Sequence, residues 1–328
     1  MDLQTLFSSL AIPQTSNASD RFSVVQIPNY NSYLLGRDPS GAPALLIRQA
    51  QSAKNLMSVD LEHLRVAHGV RCQIDFPGGH HEVEQVTLIR CTADPDLEPI
   101  FLRLMGGLIA EFGDPSPDAL ARLVAQLVDL FRALSQPPRK SIQGLWGELL
   151  MIVMSNDPIE LVSAWHVEPT DMYDFNGGQF RIEVKTSASR RRTHHFRLEQ
   201  LQAPTGSEAL ICSLITERVG GGATVADLVT EIEALIADRP DLVVRAETVI
   251  AETLGSEWRS SAHVTFDREV ASESLRFIPV ADIPSIPVEA LPAGVSNVHF
   301  EVSLGAVPAT SFDDLSTKGG LFAAAVPA

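Results

Sequence analysis

The sequence predicts an α/β protein that begins with a β-rich N-terminal module. Short strand-like runs bounded by turn residues fill the first hundred positions. Farther along the chain, apolar residues recur at helical spacing between further strand-like runs, which favours helices packed against a sheet. With 328 residues, 45% of them hydrophobic, the chain can form one large domain or two ordinary ones.

The N-terminal module is expected to span residues 1–113. Turn sequences such as Asp38-Pro39-Ser40-Gly41 and Pro77-Gly78-Gly79 separate its strands. Strands are predicted at residues 23–27, 33–37, 44–48, 70–74 and 82–90. A helix is predicted at residues 97–112, where the module ends.

The second predicted domain covers residues 114–304. It begins with a helix at 118–134. Pro137 and Pro138 follow this helix and prevent it from continuing, because neither can donate a backbone hydrogen bond. Further elements are expected as a helix at 141–154, strands between 162 and 198, a strand at 209–215, a helix at 224–237 and C-terminal strands. Residues 305–328 are small and poorly patterned, so we expect a loosely structured tail.

The overall charge restricts how the protein could bind nucleic acid. Lys+Arg 25 against Asp+Glu 41 gives a net charge of −16, which repels phosphate unless basic residues are concentrated in one place. The three cysteines lack zinc-site spacing and are expected to be reduced core residues. Without a signal-like N-terminus or a membrane-length apolar run, the protein is expected to be cytoplasmic and to have no membrane partner.

The segment from Asp174 to Thr186 is the most informative for function. Its second half alternates, so Glu183 and Lys185 project from the same face of a strand. Phosphodiester hydrolysis with a divalent metal needs carboxylate ligands and a positive group near the attacking water. Asp174 and Glu183 can supply the ligands, and Lys185 can orient or deprotonate the water. The alternative is a half-buried strand in which Glu183 and Lys185 form a weak surface ion pair.

A predicted apolar helix before this segment carries another acidic residue, Glu148. One short β segment separates it from Asp174, so Glu148 is a candidate for an additional ligand, and the alternative is a solvated surface residue. Gly144 and Gly147 flank the same part of the helix. Each glycine costs about 1 kcal/mol relative to alanine, so both predict close packing or a close approach of the backbone.

Together these residues resemble the PD-(D/E)XK nuclease superfamily, and specifically a bacterial family of PD-(D/E)XK motif proteins. The resemblance is strongest over residues 144–201 and weaker over 275–287. It is carried by the Glu148 helix, Asp174-Phe175, Glu183-Val184-Lys185-Thr186 and Gln200-Leu201.

The resemblance implies a restriction-endonuclease-like core, which is a mixed sheet flanked by helices. It also implies that Asp174, Glu183 and Glu148 are metal ligands, that Lys185 is the catalytic lysine and that Gln200 is a polar residue of the site. The residue before Asp174 is Tyr173, where the superfamily name has proline. That departure makes Asp171 a rival for the aspartate role.

Basic residues are concentrated beside the same strand. Six of the 25 lysines and arginines lie between Arg181 and Arg197. We predict a surface that contacts the phosphate backbone. The predicted nucleic-acid-binding residues are Arg181, Arg190, Arg191, Arg192, His194 and Arg197. The alternative is a solvated turn whose arginines balance the acidic surface.

These observations predict hydrolysis of phosphodiester bonds with Mg²⁺, or with Mn²⁺, and DNA as the expected partner. The resemblance further implies a DNA endonuclease linked to restriction or phage defence, with partner proteins that supply targeting. A DNA-binding or assembly module that keeps the fold without turnover is the main alternative. Hydrolysis of a different phosphoester would be favoured if the arginines faced away from the carboxylates.

The connection between Asp174 and Glu183 carries a geometric prediction. We expect a four-residue loop over residues 176–179, or a glycine bulge at Gly177-Gly178, which brings Glu183 within a diagonal of about 7 Å. Repulsion between the two carboxylates should then raise the pKa of at least one of them.

Overall fold

The computed structural model describes residues 3–13, 20–48, 58–114, 116–166 and 171–328. Its helices are α1 (Leu3–Ser8), α2 (Leu97–Phe112), α3 (Pro117–Ala133), α4 (Ile142–Met154), α5 (Pro158–Ala164), α6 (Val225–Leu235), α7 (Pro240–Leu254), α8 (Trp258–Ser261), α9 (Arg268–Ser274), α10 (Phe312–Lys318) and α11 (Gly320–Ala325). Its strands are β1 (Arg21–Gln26), β2 (Tyr33–Arg37), β3 (Pro43–Arg48), β4 (Val59–Asp60), β5 (Leu64–Asp75), β6 (His81–Cys91), β7 (Phe175–Gly177), β8 (Phe180–Ser187), β9 (Thr193–Arg197), β10 (Glu208–Ile215), β11 (Arg218–Ala223), β12 (Arg276–Pro279) and β13 (His299–Ser303).

The chain divides into two compact units that are interleaved in sequence. Unit 1 contains Met1–Pro137 and Asp238–Ser256, and unit 2 contains Pro138–Ala237 and Glu257–Ala328. The division after Pro137 differs from the boundary that we expected after residue 113. Helix α3 belongs to unit 1 because its apolar face is buried there, with the ring of Phe131 6.5 Å from that of Phe101 on α2.

Unit 1 is built around a six-stranded sheet in the order β1-β2-β3-β6-β5-β4. Strand β1 also pairs with β5 in parallel, so five of the strands form a closed ring of pairings. The side chains of Phe22, Leu34 and Leu46 fill its interior together with the free thiol of Cys72. The β-rich character predicted for the N-terminal part of the chain is therefore confirmed by this sheet.

Unit 2 contains a mixed four-stranded sheet in the order β12-β10-β8-β7. Strands β8 and β10 are parallel over Phe180–Ser187 and Glu208–Ile215, whereas the two outer pairs are antiparallel. The helix predicted at residues 141–154 corresponds to α4, which packs on β8. The chain is thus a mixed α/β protein, and the more specific restriction-endonuclease-like core stays a prediction.

The strands predicted between residues 162 and 198 begin later than expected. Residues up to Ala164 belong to α5, because Pro158 occupies its first turn and the Asp157 carboxylate accepts a hydrogen bond from the Glu160 amide at 3.0 Å. The first strand of this run is β7, at Phe175. Residues 167–170 of the predicted run lie outside the described residues.

The C-terminal residues 305–328 are more ordered than the tail that we expected. They contain α10 and α11, and α11 packs against α5 and β8. Leu321 and Phe322 of α11 are buried, and the Phe322 ring lies 4.5 Å from the ring of Phe180 on β8. Helix α11 contains three consecutive alanines, which are strong helix formers, so this segment folds despite its weak periodic pattern.

None of the helices in the five described ranges is long and apolar enough to cross a membrane.

Candidate active site

Helix α4 carries Glu148 into the interior of unit 2. The helix begins after Ser141, whose hydroxyl accepts a hydrogen bond from the Gly144 amide at 3.1 Å. A methyl group added to Gly147 would lie 2.3 Å from Cγ2 of Thr186, so the helix approaches β8 without room for a side chain. The next residue, Glu148, is 1% exposed, which excludes the solvated alternative.

The hairpin between β7 and β8 differs from the loop that we predicted. Gly177 pairs with Phe180, and a two-residue turn of Gly178 and Gln179 joins them, with φ of 53° at Gly178. The prediction of a four-residue loop was wrong because the turn lies two residues later than the Asn176-Gly177 sequence suggested.

The observed register places Asp174 level with Glu183, whereas the predicted loop would have placed it opposite Arg181 and diagonal to Glu183. Phe175 pairs with Ile182, and one step farther Oδ2 of Asp174 accepts a hydrogen bond from the amide of Val184 at 2.7 Å. The aspartate thus adjoins the backbone between Glu183 and Lys185.

Four side chains meet around Asp174, and we call them the Lys140 cluster: Lys140, Glu148, His166 and Asp174. The ammonium of Lys140 donates hydrogen bonds to Oδ1 of Asp174 and, at 2.8 Å, to Oε1 of Glu148. The other oxygen of Glu148 accepts a bond from the indole of Trp165 at 2.8 Å. Nε2 of His166 lies 3.1 Å from that oxygen and 3.7 Å from Oδ1 of Asp174.

The backbone around β7 fixes His166. Its amide donates to the carbonyl of Asp174 at 2.8 Å, and the preceding residue, Trp165, forms an isolated bridge with Phe175. His166 adopts φ of 42°, which directs the chain out of this bridge.

The two carboxyl groups of the Lys140 cluster have pKa values that are shifted in opposite directions. Burial, with the charges of Glu148 and Glu183, raises the pKa of Asp174, although Lys140 opposes the shift. Burial alone would raise the pKa of Glu148, but Lys140 and His166 outweigh it and hold that pKa well below its usual range. The pKa of Asp174 is thus raised in the predicted direction, but burial is a larger cause than the predicted repulsion between carboxylates.

A second group, the Lys185 network, consists of Glu183, Lys185 and Gln200. The ammonium of Lys185 lies 2.8 Å from Oε1 of Glu183 and donates to Oε1 of Gln200 at 3.1 Å. The Gln200 amide donates to the same Glu183 oxygen at 2.6 Å. Glu183 is 4% exposed, so this is a largely buried pair and not the weak surface ion pair of the alternative.

Gln200 itself is fixed by two backbone contacts. Its side-chain oxygen accepts from the amide of Arg197 at 3.1 Å, and its carbonyl accepts from the hydroxyl of Tyr173 at 3.1 Å. Tyr173, which replaces the proline of the motif name, therefore ties the aspartate segment to the Lys185 network.

The residues present fit a divalent metal ion. One ligand atom each from Glu148, His166 and Asp174 lie within 4.8 Å of one another. Oε2 of Glu183 is buried and has no hydrogen-bond partner among the described residues. Buried carboxylate oxygens without enough donors are the chemical setting that a hard cation stabilises. Asp171, the rival aspartate, is not a member of the three-residue group.

The predicted basic surface divides into exposed and buried residues. Arg190, Arg191 and Arg197 are exposed, and Arg181 is half-buried with its guanidinium bonded to the carbonyl of Gly178 at 2.7 Å. Arg190 lies 3.4 Å from the Glu217 carboxylate, with 81% of its side chain exposed.

Arg192 and His194 do not belong to that surface, which corrects the prediction. Arg192 is 4% exposed and donates to the hydroxyl of Ser213 at 3.0 Å and to the carbonyl of Ser274. Nε2 of His194 lies 2.9 Å from the same hydroxyl. On β9 the side chains of His194 and Phe196 point inward. Because side chains alternate along a strand, the apolar Phe196 could have indicated that His194 also faces the core.

Two members of the site were not predicted, Lys140 and His166. Lys140 immediately precedes Ser141, the N-cap residue of α4, and follows the prolines that end the preceding helix. His166 follows α5 and reaches the carboxylates only because Trp165 pairs with Phe175. Neither residue has a local sequence signal, since both depend on contacts between separate segments.

Comparison with known protein families identifies the chain. Residues 3–305 match the family described as "Putative PD-(D/E)XK family member, (DUF4420)". The chain belongs to this PD-(D/E)XK family. No curated protein and no solved structure matches it. The match confirms the predicted resemblance and indicates a nuclease-like protein.

Glu183-Val184-Lys185 has the spacing of the (D/E)XK part of the family description, and Asp174 precedes it, as the sequence analysis predicted. The structure brings both parts of this motif together through the Val184 amide. Of the two other predicted site residues, Gln200 donates directly to Glu183, whereas Glu148 is linked to Asp174 through the ammonium of Lys140.

Proposed function

We propose that this protein is a divalent-metal-dependent nuclease that hydrolyses phosphodiester bonds of DNA. The observation that carries the proposal is the arrangement of Asp174 beside the strand that bears Glu183 and Lys185, with Glu148 held next to it by α4. Membership of the PD-(D/E)XK family supports the same reaction class.

In the proposed reaction, Glu148, Asp174 and Glu183 hold Mg²⁺, or Mn²⁺ in its place. The bound metal supplies polarisation of the scissile phosphate and activation of water. Lys185 places a positive charge beside the phosphate, and its bonds to Glu183 and Gln200 fix that ammonium before substrate binds. Gln200 is a positioning residue, because it holds both partners of this ion pair.

The exposed arginines support DNA as the substrate. Arg190 and Arg191 lie in the short connection that follows β8, the strand that carries Glu183 and Lys185. In a protein with net charge −16, such local basic residues favour contact with a phosphate backbone. We further propose that the nuclease acts in the cytoplasm, in restriction or phage defence, with partner proteins that direct it to its target.

The decisive experiment is incubation of the protein with plasmid, linear and single-stranded DNA in Mg²⁺, in Mn²⁺ and in EDTA. The expected result is cleavage with either metal, none in EDTA and none with the Lys185→Ala variant. Asp174 and Glu183 are buried, so Asp174→Asn and Glu183→Gln test their roles with less disturbance of packing than alanine. Full cleavage by correctly folded Lys185→Ala protein would exclude Lys185 as the catalytic lysine.

One observation favours a second function, a DNA-binding or assembly module without turnover. Lys140 already neutralises Asp174 and Glu148 through direct hydrogen bonds, which stabilises the carboxylates without any metal. This alternative predicts DNA binding that is the same in Mn²⁺ and in EDTA, and no cleavage of any of the three DNA forms.

A further inference from the structure

The Lys140 cluster contains an imidazole that neither the motif nor the proposed ligand set includes. His166 contributes one of three ligand atoms that lie within 4.8 Å of one another, and Glu148 and Asp174 contribute the others. The three residues come from α4, from the turn after α5 and from the position just before β7. Three separate segments therefore converge on one point.

The ammonium of Lys140 lies at this point of convergence. It donates to Oδ1 of Asp174, lies 2.8 Å from Oε1 of Glu148 and lies 3.4 Å from Nε2 of His166. A single positive charge thus contacts one potential ligand atom from each of the three residues. Lys140 has 31% of its side chain exposed, whereas both carboxylates are almost fully buried, so the lysine is the member with access to solvent.

The hydrogen-bonding roles of His166 conflict in this arrangement. Its Nε2 atom faces a donor, the Lys140 ammonium, at 3.4 Å and an acceptor, Oε2 of Glu148, at 3.1 Å. A ring nitrogen either donates or accepts, so one of these contacts is unfavourable in every protonation state. A metal ion in place of the ammonium would accept the lone pair of Nε2 and the carboxylate charges together.

An independent observation also indicates that this part of the protein can accept additional positive charge. Oε2 of Glu183 is buried and has no hydrogen-bond partner among the described residues, and Glu183 is 4% exposed. Leaving a carboxylate oxygen buried without a donor is unfavourable unless a cation compensates for it.

We propose that Glu148, His166 and Asp174 form a mixed oxygen and nitrogen site for a divalent transition metal, and that Lys140 is an internal counter-ion which the metal displaces. This inference rests on the proposed metal-dependent function. It adds His166 as a fourth metal ligand, beside Glu148, Asp174 and Glu183, and Lys140 as a competitor of the metal. Mg²⁺ takes oxygen ligands and retains its waters, whereas divalent first-row transition metals accept an imidazole more readily, with Mn²⁺ at the weak end of that series. The site should therefore bind Mn²⁺ more tightly than Mg²⁺, and His166 should account for much of that difference.

The test measures Mn²⁺ binding without DNA, from the loss of the electron paramagnetic resonance signal of free Mn²⁺. His166→Asn should weaken Mn²⁺ binding at least about tenfold. In competition with Mg²⁺, the same variant should lose most of the preference for Mn²⁺. Lys140→Gln should tighten Mn²⁺ binding about tenfold and lower the thermal stability in EDTA, because two buried carboxylates then lack their cation.

Two exposed residues of unit 2 provide matched controls. Arg139→Gln removes a positive charge next to Lys140, and His263→Asn removes an exposed imidazole, so neither should change the Mn²⁺ affinity by more than about twofold. If Lys140→Gln does not fold in EDTA, His166→Asn still decides the ligand assignment, because it retains the Lys140 ion pairs.

Equal Mn²⁺ affinity of the wild type and folded His166→Asn would overturn the ligand assignment. Weaker binding by Lys140→Gln would overturn the competitor role. Both results are separable from failure of the proposed nuclease function, since Mn²⁺ binding that follows the prediction without DNA cleavage would contradict only that function.

Discussion

The contact between Gly147 and Thr186 allows a quantitative test of how α4 positions Glu148. In Gly147→Ala the new methyl group would lie 2.3 Å from Cγ2 of Thr186, so the helix or the strand must move. Overpacking of this kind destabilises by about 1–3 kcal/mol, and the 2.3 Å contact places this case near the upper end. The better helix propensity of alanine returns about 1 kcal/mol, which leaves a net loss of about 2 kcal/mol.

Gly144→Ala is the matched control on the same helix. The nearest atom to its added methyl group is the Ser141 hydroxyl at 3.4 Å, an ordinary contact distance. The helix propensity then dominates, and this variant should be more stable than the wild type by up to about 1 kcal/mol. The two alanine variants should thus differ by about 3 kcal/mol.

Urea unfolding followed by tryptophan fluorescence measures this difference. All three tryptophans, Trp146, Trp165 and Trp258, lie in unit 2, so the signal reports the unit that contains the site. Movement of α4 in the Gly147→Ala variant should also weaken Mn²⁺ binding, because the proposed ligand Glu148 is the next residue. Equal stability of the two variants would refute the idea that α4 is held against β8 at Gly147.

Three further predictions concern other parts of unit 2. Phe322→Ala should destabilise unit 2 by about 3–5 kcal/mol in the same urea assay, because this buried ring packs on β8. Replacing Arg190 and Arg191 by glutamine should reduce the salt dependence of DNA binding by up to about two phosphate contacts, whereas Arg192→Gln should chiefly lower stability. His194 has its pKa lowered to about 4 by burial and by the charges of Lys185 and Arg192. Because the unfolded chain then binds the proton more tightly, stability should fall as pH decreases from about 6.5 towards 4, by roughly 2 kcal/mol between pH 7 and pH 5, and His194→Gln should remove this loss.

Two of these predictions have a control variant in the same unit, and the third has a result that would contradict it. Phe312 is 41% exposed, so Phe312→Ala should cost much less than Phe322→Ala. His195 is exposed on the same strand, and His195→Gln should leave the decrease of stability at low pH unchanged. An unchanged salt dependence in the double arginine variant would place the DNA-binding surface elsewhere.

Periodic patterns made most of the secondary structure predictable from the sequence. The helix predicted at 97–112 and the strand predicted at 33–37 match α2 and β2, because apolar residues at regular spacing must face a core. The side chains of the motif were predictable for the same reason, since alternation places Glu183 and Lys185 on one face.

Features that depend on contacts between distant segments were not predictable. The hairpin turn lies at Gly178, which adopts φ of 53°, whereas the sequence led us to predict a wider loop over residues 176–179 or a bulge at Gly177-Gly178. Lys140 and His166 join the carboxylates only through tertiary packing, and α11 is stabilised by its contact with Phe180. Alternation along β9 was visible in the sequence. His194 was nevertheless predicted to lie on the DNA-binding surface, because it stands among basic residues.

The interleaving of the two units also restricts how the protein can be made. During synthesis, unit 1 lacks α7 until Ser256 has been added, and the partner of Arg103 in unit 1 is Glu247, at 2.7 Å, on that late helix. The strands of the unit 1 sheet therefore emerge from the ribosome long before the helix that completes their unit. A gene fragment that ends at Pro137 would encode strands and helices with an uncovered apolar face, and one that begins at Pro138 would carry α7 without its partners. Neither unit can be expressed as one uninterrupted stretch of the gene, so insertions, fusions and circular permutations have to respect three crossing points, near residues 137, 238 and 256.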